Sequence, residues 1–160
     1  MQNKPSTAPS LTEAIPLTSS QRGIYFACAA HPESTVYNNP FALPLPSQTN
    51  LERFAQAVEQ AAALHPALYA VVRMESDGPV MLPGQCAFSL TRERRASKTE
   101  TVESFIRPFD LENGPLFHFT LSETPEGAFF LFDVHHLIFD GTSLKQLLTD
   151  ITAFYAGDPV

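Results

Sequence analysis

Residues 129–143, FFLFDVHHLIFDGTS, decide how the rest of this chain is read. Five of the first six side chains are apolar. A run that is apolar on both faces belongs to a strand buried between two layers. Two adjacent histidines follow, then three more apolar residues, then Asp140-Gly141. Successive strand side chains point to opposite faces. His135 and His136 therefore take different directions while the strand continues, one into the core and one toward a cleft or solvent. On that alternation His135 shares a face with Asp133, where carboxylate and imidazole can hydrogen-bond. His136 shares a face with Val134 and Phe132. Gly141 permits a tight loop, and Thr142 or Ser143 is suited to cap a following helix. The reading is strand, tight loop, helix start, with an imidazole at the strand's end. A histidine, whose ordinary pKa is about 6.5, is well placed there as a general base. The competing reading is a satisfied core histidine. A metal site built from His135, His136 and Asp140 is disfavoured by the opposed side-chain directions, and no other His or Cys has useful spacing.

On the C-terminal side, TSLKQLLTDITAFYAGDP predicts a helix with Leu144, Leu147, Leu148, Ile151 and Phe154 on one stripe and Gly157 at its end. On the N-terminal side, GPLFHFTLS alternates, with Phe117, Phe119 and Leu121 on one face and His118 and Thr120 on the other. SKTETVESFIRPFDL opens with Ser97-x-x-Glu100, a capping-box pattern, and aligns Val102, Phe105 and Ile106. ALYAVVRMESDGPVMLPG reads as two strands joined by a turn at Asp77-Gly78, and CAFSLTRE as a third. NLERFAQAVEQAAALHP is a helix capped by Asn50 and ended by Pro66, its stripe formed by Leu51, Phe54, Ala55, Val58, Ala61 and Ala62. STVYNNPFALPLP is extended, and its prolines keep it at an edge. PLTSSQRGIYFACAAHP is a short helix capped by Thr18 or Ser19, with Ile24, Tyr25 and Cys28 on one face. The expected architecture is an α/β (α+β) two-layer sandwich, helices packed on a mixed, mostly antiparallel sheet.

Composition sets the outer limits. The chain has 160 residues, 44% hydrophobic and 17% charged, with a net charge of −7. That length supports one domain with a real core, and the negative charge argues against a nucleic-acid surface. No window approaches the roughly 18 apolar residues of a membrane span. Residues 1–14 are Ser/Thr/Pro-rich with no apolar export segment, and read as a flexible lead-in. Cys28 and Cys86 form no metal or disulfide pattern and read as small buried apolar groups. Together these features lead to the expectation of a cytoplasmic protein. Arg92, Arg94, Arg95 and Lys98 cluster within RERRASK. The cluster is either a solvated loop or a docking patch for an acidic partner.

HHLIFDG resembles the HHxxxDG signature of the condensation domains of nonribosomal peptide synthetases, within the chloramphenicol-acetyltransferase-like acyltransferases. His135, His136, Asp140 and Gly141 match in order and spacing, and Ser143 falls where the family often has Ser. IPLTSSQRGIYF is similar to the family's opening motif through Gln21 and Tyr25. ALHPALYAVV is similar to its RHExLR region through His65 and Leu68. RPFDLENGPLFHFTLS is similar to its FDL…GPL segment. Four motifs in the family's order cover about residues 15–157. This chain departs at Gly23, Leu64 and Tyr69, where the family often has Arg. In the family an Arg commonly pairs with the motif Asp, so Arg73 and Arg22 are the candidates to pair with Asp140. His135-x₄-Asp140 also matches a short pattern of glycerolipid acyltransferases, without a membrane segment to support it.

The resemblance implies a fold of two similar lobes with a cleft between them, residues 15–160 being the N-terminal lobe and the C-terminal lobe absent. It implies that a carrier-bound acyl or peptidyl thioester is joined to a carrier-bound aminoacyl amine. His136 would be the catalytic residue, as base or positioner, with His135, Asp140 and Gly141 as structural members of the motif. The substrates would ride on the phosphopantetheine arms of donor and acceptor peptidyl carrier proteins, with no cofactor bound directly and no metal. Arg92, Arg94, Arg95 and Lys98 would be the carrier-docking candidates. A single lobe would be inactive and would expose an apolar face that invites self-association. Two rival readings are a CoA-dependent acyltransferase of the same superfamily and a non-catalytic lobe that only binds carrier proteins.

Overall fold

The computed structural model describes residues 13–158; residues 1–12 of the expected lead-in lie outside them. In chain order the elements are β1 (Ile15–Pro16), α1 (Ser19–Ala30), β2 (Asn38–Pro44), α2 (Leu51–Ala63), a 3₁₀ turn (Pro66–Tyr69), β3 (Ala70–Glu75) and β4 (Gly78–Pro83). They continue with β5 (Leu90–Arg94), α3 (Lys98–Phe105), β6 (Phe117–Thr124), β7 (Gly127–His135) and α4 (Gly141–Ala156).

The main sheet has the order β2-β7-β6-β5. β7 is central, as its two-sided apolar run requires. Phe130, Phe132 and Val134 of β7 align with Leu121, Phe119 and Phe117 of β6. This face joins Val58, Ala61 and Ala62 of α2 and Leu147 and Ile151 of α4 in one buried cluster. The opposite face carries Phe129 and Leu131, packed with Phe105 of α3. Burying a large apolar side chain contributes roughly 1.5–3 kcal/mol, so the aromatic pairs across β6 and β7 anchor the fold. β2 is the edge strand that its prolines predict, antiparallel to β7.

The caps follow local chemistry. Thr18 and Gln21 form a reciprocal capping box at α1. Asn50 accepts from Arg53 N–H at α2. Ser97 accepts from Glu100 N–H, while the Glu100 carboxylate reaches Ala96 N–H, one residue before the expected partner. Gly157, at φ +86°, closes α4 in the left-handed conformation.

Several expectations are corrected. The strands after residue 66 do not share one sheet: β3 and β4 pair with β1 in a separate three-stranded sheet, order β1-β4-β3. Residues 67–69 belong to the 3₁₀ turn, because Pro66 favours its first turn. β5 begins only at Leu90 and runs parallel to β6. Ile106 lies beyond α3 in extended backbone and is exposed; Pro108 disfavours helical backbone just before it. Asp140, not Thr142 or Ser143, caps α4. Gly141 is the first residue of that helix and is not among the described glycines with positive φ. Cys28 and Cys86 are half-buried rather than buried.

Candidate functional site

β7 ends at His135, and His136 begins the turn that leads to α4. The strand alternation invoked for His136 therefore stops one residue early. Its outcome survives, because the turn carries His136 outward. Within residues 131–140 only His136 and Asp140 are exposed.

His135 is 3% exposed. Its Nδ1 accepts from Leu137 N–H at 3.1 Å. In the neutral ring the proton must then sit on Nε2, which lies 3.5 Å from Cys28 Sγ. Burial, aided by the neighbouring His136, lowers its pKa to about 4. His135 is thus a neutral core group that ties the turn to α1. Gln21 reinforces the tie by donating from Nε2 to Leu137 O at 2.9 Å. The expected His135–Asp133 bond is absent: the two share a face, but each is engaged elsewhere. Asp133 Oδ2 accepts from Asn38 Nδ2 at 2.5 Å.

His136 has the opposite tautomer. Its Nδ1 lies 2.9 Å from Phe139 O. A carbonyl oxygen only accepts, so Nδ1 carries the proton and Nε2 keeps its lone pair. Asn39 Nδ2 lies 3.3 Å from the same Nδ1; with Nδ1 protonated this contact is a hydrogen bond only when the amide is turned over so that its oxygen faces the ring. The His136 backbone N–H donates to Tyr37 O at 2.8 Å. The arrangement engages one ring nitrogen of an exposed histidine and leaves the other with its lone pair, which suits proton transfer at an attacking group.

Asp140 Oδ1 accepts from both Ser143 N–H and Ser143 Oγ–H at 2.8 Å. These bonds, the backbone one foremost, hold its carboxyl below the usual carboxylate range. It is exposed, and among the described residues no cation pairs with it. The Arg73 and Arg22 candidates are not used: Arg73 donates to Glu112 O instead. Asp140 is a helix cap rather than a buried ion-pair member. Gly141 follows it, and a Cβ there would meet nothing within 4 Å.

A cleft of about 550 Å³ opens between α1 and residues 108–112, lined by Tyr25, Cys28, Ala29, Phe109 and His135 among others. It reaches the first motif histidine and not the second. His136 is exposed to solvent.

The basic cluster lies elsewhere. Arg92 pairs across the sheet with Leu121, and Leu121 with Phe130, six residues before His136; that is roughly 20 Å along the strand. Arg92 bonds Glu52 at 2.7 Å and Arg94 lies 3.6 Å from Glu123. Arg95 bonds Glu93 at 2.8 Å and lies 3.6 Å from Glu100. Lys98 sits over the Phe129 ring. Among the described residues no group of three or more His, Cys, Asp or Glu converges as a metal site. No helix there is long and apolar enough to cross a membrane.

Sequence reading missed Tyr37, Asn38 and Asn39, which flank the motif through β2. The available signal was two adjacent asparagines, poor strand formers, inside an otherwise apolar strand. It also missed the 2.9 Å bond of His65 Nε2 to Asp150 Oδ2, which joins the end of α2 to α4.

The profile of the condensation-domain family matches residues 12–160. The chain is 30% identical over 145 residues to bacitracin synthase 3 of Bacillus licheniformis, covering 88% of this chain and 2% of that protein. It is 29% identical over 152 residues to gramicidin S synthase 2 of Aneurinibacillus migulanus, covering 91% of this chain and 3% of that one. It thus spans only a small part of the length of either relative. The starter condensation domain of rhizomide synthetase superposes with a TM-score of 0.79 at 19% identity, over 93% of this chain and 40% of that chain. The first condensation domain of the calcium-dependent antibiotic synthetase, solved with a substrate analogue, superposes with a TM-score of 0.79 at 18% identity, over the same shares.

Proposed function

Because this chain belongs to the condensation-domain family, we propose that it forms the N-terminal lobe of a domain that makes peptide bonds in nonribosomal synthesis. The substrates are an acyl or peptidyl thioester and an aminoacyl amine, each carried on the phosphopantetheine arm of a carrier protein. The observation that carries this reading is the 2.9 Å contact of Phe139 O with Nδ1 of the exposed His136, which calls for a proton on Nδ1 and leaves the lone pair on Nε2.

The amine nitrogen attacks the thioester carbonyl carbon. As the C–N bond forms, the carbonyl π pair moves to oxygen and Nε2 accepts the amine's proton. Collapse of the tetrahedral centre breaks the C–S bond and expels the carrier thiolate, which takes that proton back. His135 does not touch the reacting atoms; it holds the turn. Asp140 starts α4 and so fixes where the turn ends.

The test is single-turnover condensation in the complete domain with loaded donor and acceptor carriers. His136→Ala should slow it by roughly 10²- to 10⁴-fold, the range for a lost general base. Condensation at the wild-type rate would overturn the assignment. Comparing carrier-bound with CoA-bound donors separates this reading from a CoA-dependent acyltransferase. A folded domain that binds carriers and turns over neither donor would be a docking module.

The 160-residue chain alone should fold without condensing, since half of the cleft comes from a second lobe. Phe26 and Val36 are 48% and 74% exposed, which is the support for expecting self-association. Sedimentation equilibrium tests that self-association. Carrier docking at Arg92, Arg94, Arg95 and Lys98 receives less support, because local carboxylates and a ring already engage each cation. Arg92→Glu with Arg94→Glu should leave the carrier KM unchanged; a severalfold rise would restore the patch as a docking site.

A further inference from the structure

Asn38 lies between the two residues that hold His136. Its predecessor, Tyr37, accepts the His136 backbone N–H at 2.8 Å. Its successor, Asn39, lies against His136 Nδ1 at 3.3 Å. The Asn38 side chain is committed elsewhere. Its Nδ2 donates to Asp133 Oδ2 at 2.5 Å and to Arg107 O at 3.0 Å, so both amide hydrogens are used.

Asp133 is 0% exposed and, among the described residues, has no cation partner. Its Oδ1 has no hydrogen-bond partner. A buried carboxyl so placed is costly unless its remaining bonds are firm. On the ladder Asn38 pairs with His135, and Pro40 with Asp133. The Asn38–Asp133 bond therefore crosses diagonally from the start of β2 to a point near the end of β7, two residues before the motif. Arg107 is fastened at both ends: Asn38 holds its carbonyl, and its Nε donates to His118 Nε2 at 3.2 Å. One amide thus binds the edge strand, the central strand and the segment after α3. Asparagine is disfavoured in strands, and this bond gives it a physical reason to stand there.

We propose that Asn38 and Asp133 are positioning residues for His136. Their bond sets the start of β2 against the end of β7, so that Tyr37 and Asn39 grip the turn and the imidazole and hold the Nδ1–H tautomer. The kinetic consequence rests on the reaction proposed above; the structural consequence does not. Neither Asn38 nor Asp133 touches the reacting atoms.

Two readouts test the inference. Imidazole ¹⁵N NMR on the 160-residue chain reports the His136 tautomer, and single-turnover condensation in the complete domain reports its use. Asn38→Ala should move His136 from Nδ1–H toward Nε2–H. It should lower kcat by about 10- to 100-fold, the scale expected for misplacement of a reacting group, with carrier KM within twofold. Asn38→Val keeps strand propensity and removes the donor, and should behave alike should the alanine variant fail to fold. Asp133→Asn keeps an acceptor for Asn38, and should retain the wild-type tautomer and kcat. A wild-type tautomer in the Asn38 variants would overturn the inference, and so would an Asp133→Asn variant as damaged as Asn38→Ala. A shifted tautomer in Asn38→Ala together with undiminished condensation by His136→Ala would uphold the clamp and reject the reaction assigned to His136.

Discussion

The carbonyl oxygen of Phe139 lies 2.9 Å from Nδ1 of His136, three residues before it. The turn thus closes on its own histidine and selects which ring nitrogen is left basic. Leu137 N–H does the reverse to His135, occupying Nδ1 at 3.1 Å and forcing its proton to Nε2. Adjacent histidines are given opposite tautomers by backbone groups of the same turn.

The two histidines should separate in their phenotypes. His135→Ala removes a buried ring and leaves Leu137 N–H unpaired, so it should lower stability by about 2–4 kcal/mol. His136→Ala removes an exposed ring and should leave the urea midpoint nearly unchanged while condensation fails. Chemical denaturation of both variants, beside the rate assay, checks the division.

Loss of the Asp140 cap should be visible in melting. Asp140→Ala removes the acceptor for Ser143 N–H at the start of a 16-residue helix. The melting temperature should fall by roughly 2–4 °C, the effect of one lost N-cap in a chain of this size. Asp140→Asn keeps a capping oxygen and should melt within a degree or so of wild type. A wild-type melting curve for Asp140→Ala would reject the structural role.

Stability should fall as the solution is acidified below neutrality. Burial lowers the pKa of His118, helped by Arg107, and of His135 to about 4. Between about 6.5 and 4 the unfolded histidines bind protons and the folded ones do not, so stability is present above 6.5 and lost as pH falls. The slope should approach about 1.4 kcal/mol per pH unit for each histidine inside that window. Asp133 acts in the opposite sense: burial raises its folded pKa, so its contribution grows as pH falls toward the ordinary carboxylate value. His118→Phe, which preserves stacking on Phe109, should remove about half of the histidine slope. Urea midpoints measured from pH 7 to pH 4.5 provide the check.

Asp150 is nearly buried within α4. It receives His65 at 2.9 Å and Gln146 Nε2 at 2.9 Å. Asp150→Ala should cost about 2–3 kcal/mol by leaving both donors unmatched. A double-mutant cycle with His65→Ala should return a coupling of about 1–2 kcal/mol. A coupling near zero would make the contact incidental.

Gly84 allows two backbones to meet. A Cβ there would lie 2.2 Å from Tyr69 O, the same oxygen that accepts Gly84 N–H at 2.7 Å. Gly84→Ala should destabilise by about 1–3 kcal/mol, since backbone must move to admit the methyl group. Gly23→Ala, in open space within α1, should instead stabilise by up to about 1 kcal/mol. Equal melting of the two variants would contradict both arguments.

What the sequence determined by itself is local and periodic. The apolar run before His135 reads as a central strand, and the leucine stripe after Asp140 reads as one face of a helix. Asn50 and Gly157 marked helix ends because their side-chain and backbone chemistry acts within a few residues. Asn38 shows where that reasoning stops. Its partners, Asp133 and Arg107, lie 95 and 69 residues away; strand register brings up the first, and the path of the segment after α3 brings up the second. The tautomers of His135 and His136, the exposure of Asp140 and its freedom from any described arginine, and the division of the strands into two sheets were likewise settled by tertiary structure. Alternation along a strand fixes the direction of a side chain. Which atom it meets depends on the neighbouring strand, the register and the turn, none of which is a property of the local sequence.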